Sequence, residues 1–361
     1  MASIALVRSD VIVGVDTHKD QHVAVVIDGL GGRLGELFVP ATADGYAALL
    51  GWARNHGRVI AFGVEGTGSY GAGLASFLRR HATKVIEVNR PARQAERRLA
   101  GKNDTIDAEH AAREVLAGTA TNIAKTADGA IEGIRLIKIA RDGAVKARSK
   151  AMITLKAALV TGSDELRGEL EALTDHKLIV ACAAFPETLD DPADPSAAMR
   201  YLLGTLARRW LTLHDEVSAH FKLLDQATKT AAPDLVEAFG IGPDVAAEML
   251  VTAGDNTDRI HSEAAFAKLC GVCPIPAGSG KTNGRHRLNR GGNRQANAAL
   301  YRTVIVRMRW HEPTIAYVAR RTAEGLSKKE IIRCLKRFVA REVFALLPEP
   351  AAPATVQGIA A

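Results

Sequence analysis

The sequence predicts an α/β N-terminal domain, then a helical, coiled-coil-like middle, then a mainly α C-terminal module. Three observations point there. Strand-like runs joined by very short connections fill residues 11–40. Apolar residues then recur at steps of three and four over a long stretch. A glycine-punctuated helical segment and a basic run follow near the end.

The runs VIVGVDT, HVAVVIDG and RLGELFVP are separated only by HKDQ and GLGG. Joints that short make antiparallel neighbours, because a parallel crossover needs about a dozen residues or more. TADGYAALLGWARNHG reads as a helix capped by Thr42 or Asp44. The strand RVIAFGVE follows, then a glycine-rich turn, the helix GAGLASFLRRH, the strand KVIEV and a helix starting near Asp104. Three antiparallel strands followed by alternating helix and strand is the order of a ribonuclease-H-like sheet, expected over residues 1–122.

Residues 123–235 read as a helical hairpin. Ile134, Ile137, Ala140, Ala144, Ala147, Ala151, Leu155 and Ala158 form one face of a long helix. Lys138, Arg141, Lys146, Arg148, Lys150 and Lys156 lie off that stripe, either as a solvated face or as one turned to nucleic acid. FPETLDDPADPS reads as a loop, after which a second helical piece returns along the first. Residues 236–348 form the C-terminal module, and the Pro/Ala-rich residues 349–361 are expected to be a disordered tail.

The 361 residues are 47% hydrophobic, enough for a substantial core, and carry a net charge of +7, which suits a polyanionic partner. No apolar run approaches the ~18 residues of a membrane span, so no membrane partner is expected. The start, MASIALVRSD, is too short for a signal peptide. Four cysteines without a paired framework suit a reducing cytoplasm.

Asp16 raises the first chemical question, because a carboxylate stands in an apolar run where burial costs hydration. Glu65 ends the strand RVIAFGVE, and Asp104 and Asp107 share a helical face at a spacing of three. Clustered carboxylates repel by about 4 kcal/mol for a pair about 4 Å apart at an effective dielectric of about 20. Hard divalent cations would neutralise them, and a pair of Mg²⁺ ions, with Mn²⁺ as substitute, would serve phosphoryl transfer. Taken singly, Asp104 could be only a helix cap and Glu65 only a surface acid.

In the C-terminal module, FGIGPDVAAEML resembles a helix-hairpin-helix. Gly240 and Gly242 would make a tight turn and Pro243 would open the helix, leaving backbone N–H groups for a phosphate. An ordinary helix–helix turn has the same look. From Ala264 to His311 there is no acid, yet nine Lys and Arg occur, more than the net charge of the whole chain. Lys281, Arg285, Arg287, Arg290 and Arg294 are the core of this run, and charge so concentrated argues for a phosphate backbone. Ser279, between two glycines, sits on a flexible loop among these cations; a serine hydroxyl attacks only when its proton is removed or a metal assists.

Three rival motifs weaken on inspection. GTGSYG satisfies G-x-G-x-x-G, with Glu87 placed like a ribose-binding acid. The opening strands, however, have joints too short for a dinucleotide-binding βαβ unit, Glu65 would repel a pyrophosphate, and Asp16, Asp104 and Asp107 would be left unexplained. GSGKT lacks the glycine a phosphate loop needs, since Ile275 stands there. One C-x-x-C, Cys270 to Cys273, without a second pair is a weak zinc signal, and small buried thiols are the simpler reading.

GVDTHKD, VEGTGSYG and KNDTIDAEHAA closely resemble the DEDD transposases of bacterial insertion sequences, whose N-terminal domain looks like the RuvC Holliday-junction resolvase. Piv DNA invertases are relatives. The resemblance implies Asp16, Glu65, Asp104 and Asp107 as a catalytic Mg²⁺ site. It also implies Ser279 as a nucleophile that becomes linked to DNA, ahead of Arg285, Arg287, Arg290 and Gly291. Relatives use a structured RNA from the element's ends, so a guide RNA is implied as a partner beside DNA. Strand exchange needs more than one active site, so a homo-oligomer is expected, working on DNA in the bacterial cytoplasm at the nucleoid. The alternatives are a RuvC-like resolvase that uses water and has no need of Ser279, and a non-catalytic nucleic-acid-binding protein that keeps the basic run and has no need of the acids.

Overall fold

The computed structural model describes residues 7, 9–89, 103–278, 286, 287, 289 and 291–349. It forms two compact units, one ending at Thr126 and the other starting at Ala127.

The first unit is built on a six-stranded sheet: β1 (Asp10–Thr17), β2 (Gln21–Asp28), β3 (Arg33–Pro40), β4 (Arg58–Glu65), β5 (Val85–Val88) and β6 (Asn122–Ile123). The spatial order is β3-β2-β1-β4-β5-β6. As the short joints require, β1–β2 and β2–β3 are antiparallel, whereas β1–β4 and β4–β5 are parallel. That is a mixed sheet, compatible with the expected ribonuclease-H-like order, and β6 adds an antiparallel pairing to β5 at the edge. Two residues are too few to show a strand period, which is why the sequence does not reveal it. GTGSYG does open a parallel βαβ unit, since β4 and β5 are parallel with a helix between them; the antiparallel β1–β2–β3 start of the sheet is what departs from a dinucleotide-binding fold.

β1 is buried along its whole length, so it reads as an unbroken apolar run, whereas β3 is buried only at Val39 and half-buried at Gly35 and Leu37. One face of the sheet packs Val11, Val13, Val15, Phe62 and Val64 against Leu49, Leu50, Leu74 and Leu78. These leucines come from α1 (Ala43–His56) and α2 (Ala72–Arg80). Thr42 caps α1 by accepting a hydrogen bond from the Gly45 N–H. The other face takes Ala108, Ala111 and Ala112 of α3 (Asp104–Leu116) against Ile12, Val25, Ile27 and Ile86.

The second unit is helical. α4 (Ala130–Val160) is followed by the short α5 (Asp164–Leu170) and α6 (Asp175–Ala183), then by α7 (Pro195–Ala231). Arg141 lies over the Phe221 ring, Arg148 over the Trp210 ring, and Leu155 packs with Leu203. Partner numbers fall as α4 numbers rise, so α7 runs antiparallel to α4. The Pro/Asp-rich loop expected between the helices occupies the approach to α7, where Pro195 takes a first-turn position and the Asp194 side chain caps.

Ile131, Ile134 and Leu224, at one end of this pair, share a core with α8 (Pro233–Glu237), α9 (Pro243–Ala253), α10 (Glu263–Leu269), α11 (Arg294–Trp310) and α13 (Lys328–Ala345). α12 (Glu312–Ala323) lies between the last two in sequence, and β7 (Ile275–Pro276) pairs with β8 (His286–Arg287). Of the tail expected over 349–361, all but Glu349 lies outside the described residues. Among the described residues no helix is long and apolar enough to cross a membrane.

Lys138 corrects the helical-face reading. It is buried at 8% exposure, and its ammonium lies 3.0 Å from Asp142, 3.4 Å from Asp244 and 3.4 Å from Glu248. Arg141 lies 2.8 Å from Asp244, and Lys156 pairs with Asp175 at 2.6 Å. These cations neutralise neighbouring acids; of the six, Lys146, Lys150 and Lys156 are exposed.

Candidate active site

Asp16 and Glu65 end two adjacent parallel strands. The last register pair is Val15 with Val64, so the acids follow side by side at the carboxyl ends, where ligands of open α/β sheets bind. Both are buried, Asp16 to 7% exposure and Glu65 to 5%. The Thr17 hydroxyl donates to the Glu65 carbonyl oxygen at 3.0 Å and ties the strand ends together. Gly66 then adopts φ +61, which lets the chain turn away directly after Glu65. Thr67 in that turn donates to the Glu87 carboxylate at 2.7 Å, so the acid that imitated a ribose ligand is part of the turn's own bonding.

Strand alternation puts Gly14 and Asp16 on one face, and Gly63 and Glu65 likewise. Gly14 is the register partner of Gly63. A Cβ at Gly14 would stand 1.9 Å from the Ala108 carbonyl oxygen, and one at Gly63 would stand 2.7 Å from that of Ala111. These bare positions let α3 lie against the sheet and bring its first turn over the strand ends. Asn103 is the cap, its side chain accepting from the Thr105 N–H, so Asp104 is not the capping residue the sequence allowed. Asp104 and Asp107 occupy the first turn, where the helix dipole favours negative charge by about 0.3–1 kcal/mol.

The structure brings Asp16 and Asp104 together, with His18 between them. His18 Nε2 lies 3.3 Å from Asp16 Oδ2 and 3.3 Å from Asp104 Oδ2. One donor atom from each of the three lies within 4.8 Å of the others, a set that could hold a metal ion. Glu65 and Asp107 flank this group without belonging to it. Two carboxylates and an imidazole converging at a buried strand end fit a divalent cation. The sequence signal for His18 is its spacing: positions i and i+2 of an extended segment share a face, which sets it beside Asp16 in DTH.

The sites expected in the second unit are only partly within the described residues. Ser279, Lys281, Arg285 and Arg290 lie outside them; Arg287 and Arg294 are described, and both are exposed. Gly240 takes φ +77 and Gly242 precedes Pro243 at the start of α9. In that first turn Asp244 already accepts Arg302 at 2.9 Å and Arg141 at 2.8 Å. Arg307 belongs to the basic run but faces inward: it donates to the Phe239 carbonyl at 2.7 Å and to both carboxylate oxygens of Glu342 at 2.6 and 2.8 Å. Cys270 is a buried thiol pushed up to about 12 by desolvation, and Cys273 accepts from the Asn289 amide at 3.3 Å. Among the described residues neither joins a group of metal ligands.

The sequence run does not show the cations that α12 and α13 add. A groove of about 740 Å³ is lined by His286, Arg287, Arg321, Arg333, Lys336 and Arg337, with Glu330 the single acid among the described residues that line it. Burial lowers the Lys336 pKa, and its ammonium donates to Asn297 Oδ1 at 2.8 Å.

Residues 13–162, which include all four acids, match a family model described as Transposase and named for the DEDD transposases of IS110. Residues 233–319 match a second, described as Transposase IS116/IS110/IS902 family. Both segments are thus similar to IS110-type transposases. The chain is 30% identical over 116 residues to the insertion element IS110 uncharacterized 43.6 kDa protein of Streptomyces coelicolor. That match covers 32% of this chain and 28% of the relative. Beyond the second IS110-type segment lie Arg321 and the whole of α13, so most of the groove's cations fall outside both matches.

Proposed function

We propose that this protein is a transposase that cuts and rejoins DNA by metal-assisted phosphoryl transfer at Asp16, Glu65, Asp104 and Asp107. The convergence of Asp16 and Asp104, from a strand end and a helix start far apart in sequence, carries the reading. The matches to IS110-type models over both segments support it. Bound Mg²⁺, or Mn²⁺ in its place, supplies Lewis-acid stabilisation of the reacting phosphate and eases deprotonation of the attacking group.

The chain's own residues do the rest. Asp16 sits on the central, fully buried strand and gives the site a rigid floor. The Thr17 tie and the Gly66 turn hold Glu65 beside it. Asp104 and Asp107 approach from the first turn of α3, seated over Gly14 and Gly63. Arg287, Arg294 and the groove cations Arg333 and Arg337 hold the phosphate backbone, joined by Lys281, Arg285 and Arg290. Gly240 and Gly242 form the turn of a helix-hairpin-helix that adds backbone contacts without sequence readout.

The family resemblance assigns the attack to Ser279. Its oxygen bonds to phosphorus as the bond to the leaving sugar oxygen breaks; the serine proton is released and the sugar oxygen takes one up. The same resemblance assigns target choice to a structured guide RNA. Exchange of strands calls for two or more copies of the chain on the DNA, in the cytoplasm.

Denaturing gels of DNA carrying the element ends test this reading. Wild-type protein forms a covalent protein–DNA adduct and Ser279→Ala does not. Cleavage without any adduct would instead favour a RuvC-like resolvase that uses water.

A further inference from the structure

We propose that His18 is itself a ligand of the metal, and that it tilts the site toward Mn²⁺ over Mg²⁺. The inference rests on the metal reading above and adds a nitrogen donor to its four carboxylates.

His18 follows the last residue of β1, and its N–H donates to the Gln21 carbonyl at 3.2 Å, closing the turn into β2. The backbone of His18 is therefore fixed at the strand end, two residues on from Asp16. Its side chain is 40% exposed as a whole, yet the Nε2 atom is buried and makes no hydrogen bond of acceptable geometry among the described residues. That atom stands at the same 3.3 Å from two carboxylates and is aligned with neither. A bridging imidazolium would aim its N–H at one oxygen. Three donors converging on the space between them is how ligands stand around an ion. Adjacent ligands on an octahedral ion with bonds of about 2.2 Å are about 3 Å apart, close to the two 3.3 Å edges that meet at His18 Nε2.

The donor chemistry then decides the metal. Mg²⁺ takes oxygen ligands and keeps much of its water, whereas imidazole nitrogen suits transition metals better. An imidazole among the carboxylates therefore discriminates against Mg²⁺ relative to an all-carboxylate site.

Pulsed electron paramagnetic resonance of the full chain with one equivalent of Mn²⁺ tests this without any turnover. Wild type shows the ¹⁴N coupling of a directly bound imidazole. His18→Gln loses the coupling, and its Mn²⁺ affinity falls about tenfold or more, while Mg²⁺ affinity changes less. His18→Asp recovers affinity without the nitrogen signal and shifts preference toward Mg²⁺. Mn²⁺ bound in an Asp16-dependent way without nitrogen coupling, or coupling that survives His18→Gln, overturns the ligand role and leaves the carboxylate site standing. Mn²⁺ binding that is indifferent to Asp16→Asn removes both.

Discussion

Gly14 of β1 lies beside Gly63 of β4, and the backbone of α3 crosses both. The helix that carries Asp104 and Asp107 reaches the strand ends because two neighbouring strands are bare at the same level. Position of the acids and packing of the sheet are thus one problem.

Gly14→Ala drives a methyl group into the Ala108 carbonyl oxygen and the Ala112 N–H, 1.9 and 2.4 Å away. Overpacking against backbone costs about 3 kcal/mol, and it shifts the first turn of α3 as well. Urea unfolding should show that loss. Gly51→Ala is the control, since a Cβ there meets nothing within 4 Å and an exposed helical site gains up to about 1 kcal/mol. A Gly14→Ala protein as stable as wild type would mean that α3 does not dock on this pair.

The Arg307–Glu342 pair predicts an acid-side loss of stability. Hydrogen bonding to the buried Arg307 guanidinium holds Glu342 below its ordinary value of 4.5. A carboxylate with a depressed folded pKa contributes stability that is present above the unfolded value and lost as pH falls through the folded one. Glu342 is 40% exposed, so the contribution is discounted to about 2 kcal/mol at neutral pH. Glu342→Gln should be less stable than wild type at about pH 7, and the gap should close as pH falls below 4.5. A gap that stays constant with pH would dissociate the pair from stability.

Phosphate contacts in the groove should show in salt dependence. Arg287→Ala and Arg333→Ala should each weaken DNA binding across all sequences and reduce the log–log salt slope by about 0.9. Lys156→Ala, whose partner is Asp175, should leave the slope unchanged. An unchanged slope in both groove variants would move the DNA elsewhere on the protein.

Strand order was legible because HKDQ and GLGG leave room only for antiparallel partners, and the acids were legible because each interrupts or ends an apolar element. The rest depends on long-range packing that periodicity does not encode. Lys138 reads as an off-stripe cation, since its acceptors Asp244 and Glu248 arrive from another helix. Gly14 and Gly63 look like incidental strand glycines until register puts them side by side. Asn103 and Asp104 are adjacent residues able to cap, and only the fold assigns the cap to Asn103. Arg307 counts as one more positive charge in the run until Glu342 is found opposite it.

The acid pocket itself is tested most directly by cleavage of element-end DNA in a Mg²⁺ and Mn²⁺ titration, comparing wild type with Asp16→Asn. Loss of one carboxylate should remove about 3 kcal/mol or more of transition-state stabilisation, a drop of at least about a hundredfold. The circular-dichroism spectrum should stay that of wild type. Metal-dependent cleavage at the wild-type rate in Asp16→Asn would contradict the assignment of catalysis to this pocket.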